Sequence, residues 1–358
     1  MRKFFKKLKS KFSVYFITGS KKERKQKRTL SKKERIIKYT TIILFPVLAI
    51  TSGVILGFRD YNNKNHKVED VLVVTTSGVK RKIFLVSSDN YTIPLTVTME
   101  QRTTLQQEIV DVFDMLKTTS KANSTYVSGF INENTKLKSF NLENKILELN
   151  MSEEFFQTEF NNVNVIEALT LTFLQFEEIE EIKLFVEGQE VNYYNQIPLP
   201  SSLDYSFGIN NEIASIKDMR NKEKVVVFGQ RQYDKETSYL VPVTLYCEKG
   251  ESDNITFVNG IKRKFRSDSL LKQVSLYQGI ENMQEANEDF VLKVNSTSLT
   301  DENYVSKDLF DLVNMSLELM GKDQLVSFNL EGESVQVDGV YELEDYSVSS
   351  TVINEVKL

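Results

Sequence analysis

Ile166-Glu-Ala-Leu-Thr-Leu-Thr-Phe-Leu-Gln-Phe176, followed by Ile182-Lys-Leu-Phe-Val-Glu-Gly188, carries two periodicities in succession. Ile166, Leu169, Phe173 and Phe176 recur at steps of three, four and three, the spacing of one apolar helix face. Ile182, Leu184 and Val186 then alternate as a strand does. The same order returns at a constant offset of 144: Phe310, Val313, Leu317 and Met320 mark the helix, and Val326, Phe328 and Leu330 the strand. Both strands reach Glu-Gly, at Glu187-Gly188 and Glu331-Gly332, and Val335 answers Val191. A hairpin turn needing a positive backbone angle explains both glycines more simply than close approach to a ligand.

Upstream the offset drifts but the order persists. Residues 83–86 and 225–228 read as opening strands, each followed by a polar loop and an apolar run with one proline, Ile93-Pro94-Leu95 and Val241-Pro242-Val243. Proline removes a ladder donor, so this second strand is expected at a sheet edge or where pairing is incomplete. A first helix is marked by Leu105, Ile109, Phe113 and Leu116 in copy one, and by Ile255, Val258, Ile261 and Phe265 in copy two. A third strand follows at Leu147-Glu148-Leu149-Asn150 and Leu292-Lys293-Val294-Asn295. The predicted class is α+β: each copy is a three- or four-stranded sheet with two helices packed on one face. A period this long defines domains rather than solenoid units.

These segments resemble the GerMN domain, named for a sporulation and spore-germination protein of endospore-forming bacteria. The family pattern is an apolar helix containing Thr-Leu and Gln-Phe, then a strand ending in an acidic residue and Gly; here these are Thr170-Leu171, Gln175-Phe176 and Glu187-Gly188. Leu240-Val241-Pro242-Val243-Thr244 is similar to the family's early strand, and Leu147-Glu148-Leu149-Asn150 to its central one. The resemblance covers residues 80–192 and, more loosely, 222–338, in the family's tandem arrangement. It implies a fold related to ring-building modules of sporulation channel proteins and a part in assembling an extracytoplasmic complex, and it carries over no catalytic residue.

The N-terminal region points to a membrane. Residues 39–58 contain no charged side chain and are bounded by Lys38 and Arg59. At about 1.5 Å of rise per residue such a stretch covers the roughly 30 Å hydrocarbon core as a helix. Residues 1–38 hold 16 Lys and Arg against Glu23 and Glu34, whereas the region beyond the span is strongly acidic, although the whole chain is only −5. By the positive-inside rule the basic tail is cytoplasmic and the C-terminal region lies outside the cell membrane. A cleaved signal peptide is the rival, but its apolar core would be shorter. The basic, Phe-rich start also suits anionic lipid. The expected organisation is a basic tail at 1–38, a transmembrane helix at 39–58, a linker at 59–78, domains at 79–192 and 221–345, a joint at 193–220 and a tail at 346–358.

Little in the sequence points to catalysis, a cofactor or a metal. His66 is the single histidine and precedes both copies, which removes a Ser-His-Asp triad and a His-based zinc site from either. Cys247 is the single cysteine, so no intrachain disulfide exists and a packed thiol is the expectation. Glu177, Glu178, Glu180 and Glu181 surround Ile179 just after a helix. Paired carboxylates can hydrolyse glycosides or hold calcium, but the position fits a solvated turn. The expected partners are membrane lipids for the helix and basic tail, and envelope proteins or a second copy for the outer domains. Peptidoglycan is a further candidate and no nucleic acid is expected. The expected role is a non-enzymatic sporulation or germination assembly protein, with a division or wall-synthesis scaffold, a wall-binding module and a wall enzyme as alternatives.

Overall fold

The computed structural model describes residues 78–212, 222–281, 290–322, 324–340 and 351–358. The predicted span at 39–58, the basic tail and His66 lie outside them; among the described residues no helix is long and apolar enough to cross a membrane. Thr75–Leu358 form one compact unit, and the buried apolar residues of both copies merge in one core.

Copy one opens with a long antiparallel hairpin, β1 (Gly78–Ser87) and β2 (Thr92–Glu100), in register Phe84 to Pro94. Helix α1 (Leu105–Met115) follows, started by the Thr104 hydroxyl accepting from the Gln107 amide. Its buried face is Ile109, Val112 and Phe113, with Leu116 just beyond, as the spacing predicts. After the short β3 (Val127–Ser128) come β4 (Leu137–Glu143) and β5 (Ile146–Met151), then α2 (Asn162–Leu174), β6 (Glu181–Val186) and β7 (Gln189–Glu190). Strands β5 and β6 are parallel with α2 as their crossover, placing Leu149 beside Leu184. The hairpin β8 (Tyr193–Tyr194) and β9 (Ile197–Pro198) then leads into the joint.

Copy two repeats the plan with β10 (Lys222–Gln232), β11 (Ser238–Glu248), α3 (Asp253–Lys262), β12 (Lys272–Gln273), β13 (Phe290–Lys293), α4 (Lys307–Leu319), β14 (Val326–Leu330) and β15 (Glu333–Val335). Again the two strands flanking the second helix are parallel, Leu292 beside Phe328.

Three expectations change. The strands of each copy divide into two sheets rather than one: the orders are β2-β1-β3 and β4-β5-β6-β7 in copy one, and β11-β10-β12 and β13-β14-β15 in copy two. Helix α2 therefore does not lie on one face of a single sheet; every residue from Asn164 to Leu174 is buried, because the hairpin packs on one side and β6 on another. Third, Phe265 is not on α3, which ends where Arg263 turns to extended backbone. Phe265 instead fills the space beside Gly229, where a Cβ would come within 2.9 Å of its ring.

The Glu-Gly turns behave as expected. Glu187 and Gly188 both have positive φ, 53° and 79°, and the flanking Val186 and Gln189 pair, the signature of a two-residue hairpin of the primed type. A Cβ at Gly188 would meet nothing within 4 Å, so backbone angle and not crowding selects glycine.

Candidate functional site at the domain junction

The proline-bearing strands β2 and β11 are end strands of their sheets, as proline predicts, yet neither edge faces solvent: residues 92–97 and 241–247 are all buried. The two edges meet each other. Among the described residues no backbone hydrogen bond joins them directly; two asparagines do so. Asn210 accepts from the Thr92 amide (2.8 Å) and donates to the carbonyls of Thr92 (2.7 Å) and Pro242 (2.8 Å). Asn354 accepts from the Leu240 amide (2.9 Å) and donates to the carbonyls of Leu240 (2.8 Å) and Pro94 (2.9 Å). Each carboxamide thus ties both edges, and the two sets are related by a local two-fold. Both asparagines have positive φ, 45° and 50°, a conformation Asn tolerates better than most residues.

The residues that carry these asparagines form two straps. In one, Ile209 lies against β11: its amide donates to the Thr244 hydroxyl (2.9 Å), and its carbonyl accepts from the Thr244 amide (2.8 Å). In the other, the Ile353 amide donates to the Thr96 hydroxyl (2.9 Å), and its carbonyl accepts from the Thr96 amide (3.0 Å). The strap that follows copy one therefore seats on copy two, and the strap that follows copy two seats on copy one. A buried acid supports each: Asn210 donates its amide to Glu167 (3.0 Å), and Val352 donates to Asp311 (3.3 Å). The acids differ in their surroundings. Lys307 Nζ lies 2.6 Å from Asp311, whereas Glu167 is met by neutral donors, the Asn210 amide, the Thr92 hydroxyl and the Asn211 amide group. Burial pushes the Glu167 carboxyl up to about 7 despite those hydrogen bonds.

Further contacts extend the junction. Lys82 on β1 reaches Glu318 on α4 at 2.6 Å, both almost fully buried. Arg231 holds Asp89 at 2.6 Å and stacks over Tyr233, whose ring lies nearly parallel to Tyr126 at 4.8 Å. Burial acts to raise the Asp89 carboxyl, but hydrogen bonds from Ser87, Tyr233 and Arg231 outweigh it and hold the group below the usual range.

The polar residues of the repeated helix are also committed to backbone. Thr172 accepts from the Phe84 amide (2.9 Å), and Gln175 pairs with both the amide (2.9 Å) and carbonyl (2.5 Å) of Lys82. These side chains complete the edge of β1 that β3 leaves open. In copy two the Tyr277 hydroxyl does the same for Phe228 (3.2 Å).

The residues singled out for chemistry stay apart. Cys247 is buried, 3.7 Å from the Thr256 carbonyl, and burial pushes its thiol up to about 11, unlike an activated nucleophile. Glu177, Glu178 and Glu180 are exposed in the turn after α2, and Glu181 begins β6. Among the described residues no cluster of His, Cys, Asp and Glu suits a metal ion. Sequence reasoning missed Asn210 and Asn354, although Ile209-Asn210 and Ile353-Asn354 repeat at the same offset of 144 that relates the helices.

Fold and junction together define a class of duplicated α+β-domain protein whose copies are joined through end strands. Residues 82–192 match the family described as Germane: Sporulation and spore germination. Copy one thus carries a domain of this GerMN family, and copy two repeats its element order. The spore germination protein GerM of Bacillus subtilis (strain 168) is 28% identical over 109 residues, covering 28% of this chain and 30% of that protein. The matched stretch thus spans under a third of the relative's length. The solved tandem GerMN domains of the sporulation protein GerM from Bacillus subtilis share the fold, with a TM-score of 0.63 at 17% identity over 77% of this chain and 99% of that one.

Proposed function

We propose that this chain is a non-enzymatic, membrane-anchored assembly protein of the sporulation or spore-germination envelope, with its tandem domains on the outer side of the cell membrane. The observation that carries the reading is where the polar groups of the repeat are used. Thr172, Gln175, Asn210 and Asn354 all hold backbone, so these side chains are committed to joining strands and straps rather than to bond chemistry. What they support is a clamped two-domain body presenting sheet faces to protein partners. The uncharged stretch at 39–58 and the basic tail before it support the anchor. In a sporulating host, a fluorescent fusion is expected to gather at the engulfing forespore. Midcell localisation in vegetative cells would favour the division scaffold, and cleavage of peptidoglycan by the purified protein would remove the assembly reading.

A second reading has its own observation. The outer face of the β4–β7 sheet bears a shallow groove of about 330 Å³ lined by Ser139, Asn141, Glu148, Asn150 and Phe185. Amides, a hydroxyl and an aromatic edge are groups that bind sugars, so cell-wall glycan is the ligand class for this face. Cosedimentation with purified wall, lost on Phe185→Ala, tests it.

A further inference from the structure

We propose that the strap at residues 351–356 is exchangeable, seating on the β2–β11 junction of a second copy of this chain as it seats here on its own, so that two chains form a reciprocally swapped dimer. This deepens the assembly reading, on which it rests, by naming a second copy of the chain as the partner and the strap as the contact.

The chain contains one lock and key twice. An Ile-Asn strap lies on a threonine two residues past the strand proline, Ile209 on Thr244 and Ile353 on Thr96. In both cases the strap sits on the domain that it does not follow. A strap is therefore already recognised across a domain boundary, by main-chain bonds and a carboxamide clamp that a second copy reproduces atom for atom. The contacts are extensive. Thr351 and Ile353 are buried, the Val356 amide donates to the Thr96 carbonyl at 2.9 Å, and Lys80 pairs with Glu355 at 2.8 Å. Since these contacts are identical within one chain and between two, they cancel, and the balance is set by the connecting chain and the local concentration of copies. An empty acceptor would leave the Thr96 amide and carbonyl unpaired at the end strand β2, which favours capture of whichever strap is nearest.

The test uses the full chain in membranes. One tagged copy carries Lys80→Cys and a second, differently tagged, carries Glu355→Cys; both positions are solvent-accessible and pair with each other across the strap. Cys247 is buried with a raised thiol pKa, so it stays silent to a short bismaleimide at neutral pH. Co-expressed, the two copies are expected to give a heterodimer crosslink, and Ile353→Asp on the Glu355→Cys copy is expected to reduce it more than about tenfold by forcing a carboxylate into a buried site. A single chain carrying both cysteines reports whether the strap is seated. If that chain closes an intrachain crosslink while the mixed copies give none, the strap stays on its own chain and the proposal fails. It also fails if the heterodimer survives Ile353→Asp, or if the doubly substituted chain gives no crosslink of either kind. None of these results bears on localisation, so the assembly reading is judged separately.

Discussion

Replacing Asn210 with alanine removes the partner of the Thr92 amide and of the Thr92 and Pro242 carbonyls. A backbone group left without a partner in a buried site costs about 1–3 kcal/mol. Asn210 itself is half-buried, so water reaches part of the junction and the lower end applies, about 3 kcal/mol for the three groups. Alanine at a φ of 45° adds about 1 kcal/mol. For a unit as large as Thr75–Leu358, a total near 4 kcal/mol lowers Tm by roughly 8 °C. Asn354→Ala should do nearly the same, because its bonds are the two-fold counterparts. Asn210→Asp should be worse than alanine, since it places a carboxylate against two carbonyl oxygens that now receive N–H. Thermal unfolding of the full chain in detergent, followed by far-ultraviolet circular dichroism, measures these shifts. Hydrogen exchange adds a local readout: Asn210→Ala should deprotect the Thr92 amide, and Asn354→Ala the Leu240 amide. If both alanine variants melt within about 2 °C of the parent, or if Asn210→Asp is tolerated, the carboxamides are not the clamp.

Three further outcomes follow from the same contacts. The Glu167 carboxyl has its pKa raised from 4.5 to about 7, so the folded chain holds a proton there that the unfolded chain has released. That contribution is complete below pH 4.5 and is lost as pH rises through 7, worth roughly 3 kcal/mol over the window. Glu167→Gln should therefore match the parent near pH 4.5 and exceed it at pH 8, measured as urea midpoints at the two pH values. Lys82→Met strands Glu318 without its cation and should cost about 3–5 kcal/mol, whereas Lys82→Met with Glu318→Leu should recover most of that loss in a double-mutant cycle. Thr172→Val keeps the shape but leaves the Phe84 amide unpaired, and should cost about 1–3 kcal/mol by thermal unfolding, against well under 1 kcal/mol for Thr98→Val on the exposed end of β2.

Periodicity and repetition were legible because they are local. The steps of three and four at Ile166, Leu169, Phe173 and Phe176, the alternation at Ile182, Leu184 and Val186, and the Glu-Gly turns each state a backbone conformation within a few residues. The prolines at 94 and 242 likewise announced end strands, because a missing N–H is a property of the residue itself. Strand β4 was not read: its Leu137, Phe140 and Leu142 alternate incompletely, and a bulge shifts its register between Leu137 and Ser139.

What the tertiary structure decided is what those elements meet. Sequence by itself determined two copies of one α+β plan, their order and their lack of an internal histidine. It did not determine that β2 and β11 would turn their edges to each other, or that Asn210 and Asn354 would cross over to close the gap, since hydrogen bonds spanning 118 and 260 residues leave no trace in local pattern. Nor could it tell that α2 would be buried all round, because a helix side that carries Glu167 and Thr172 becomes internal only when a second layer supplies the hydrogen bonds those groups require.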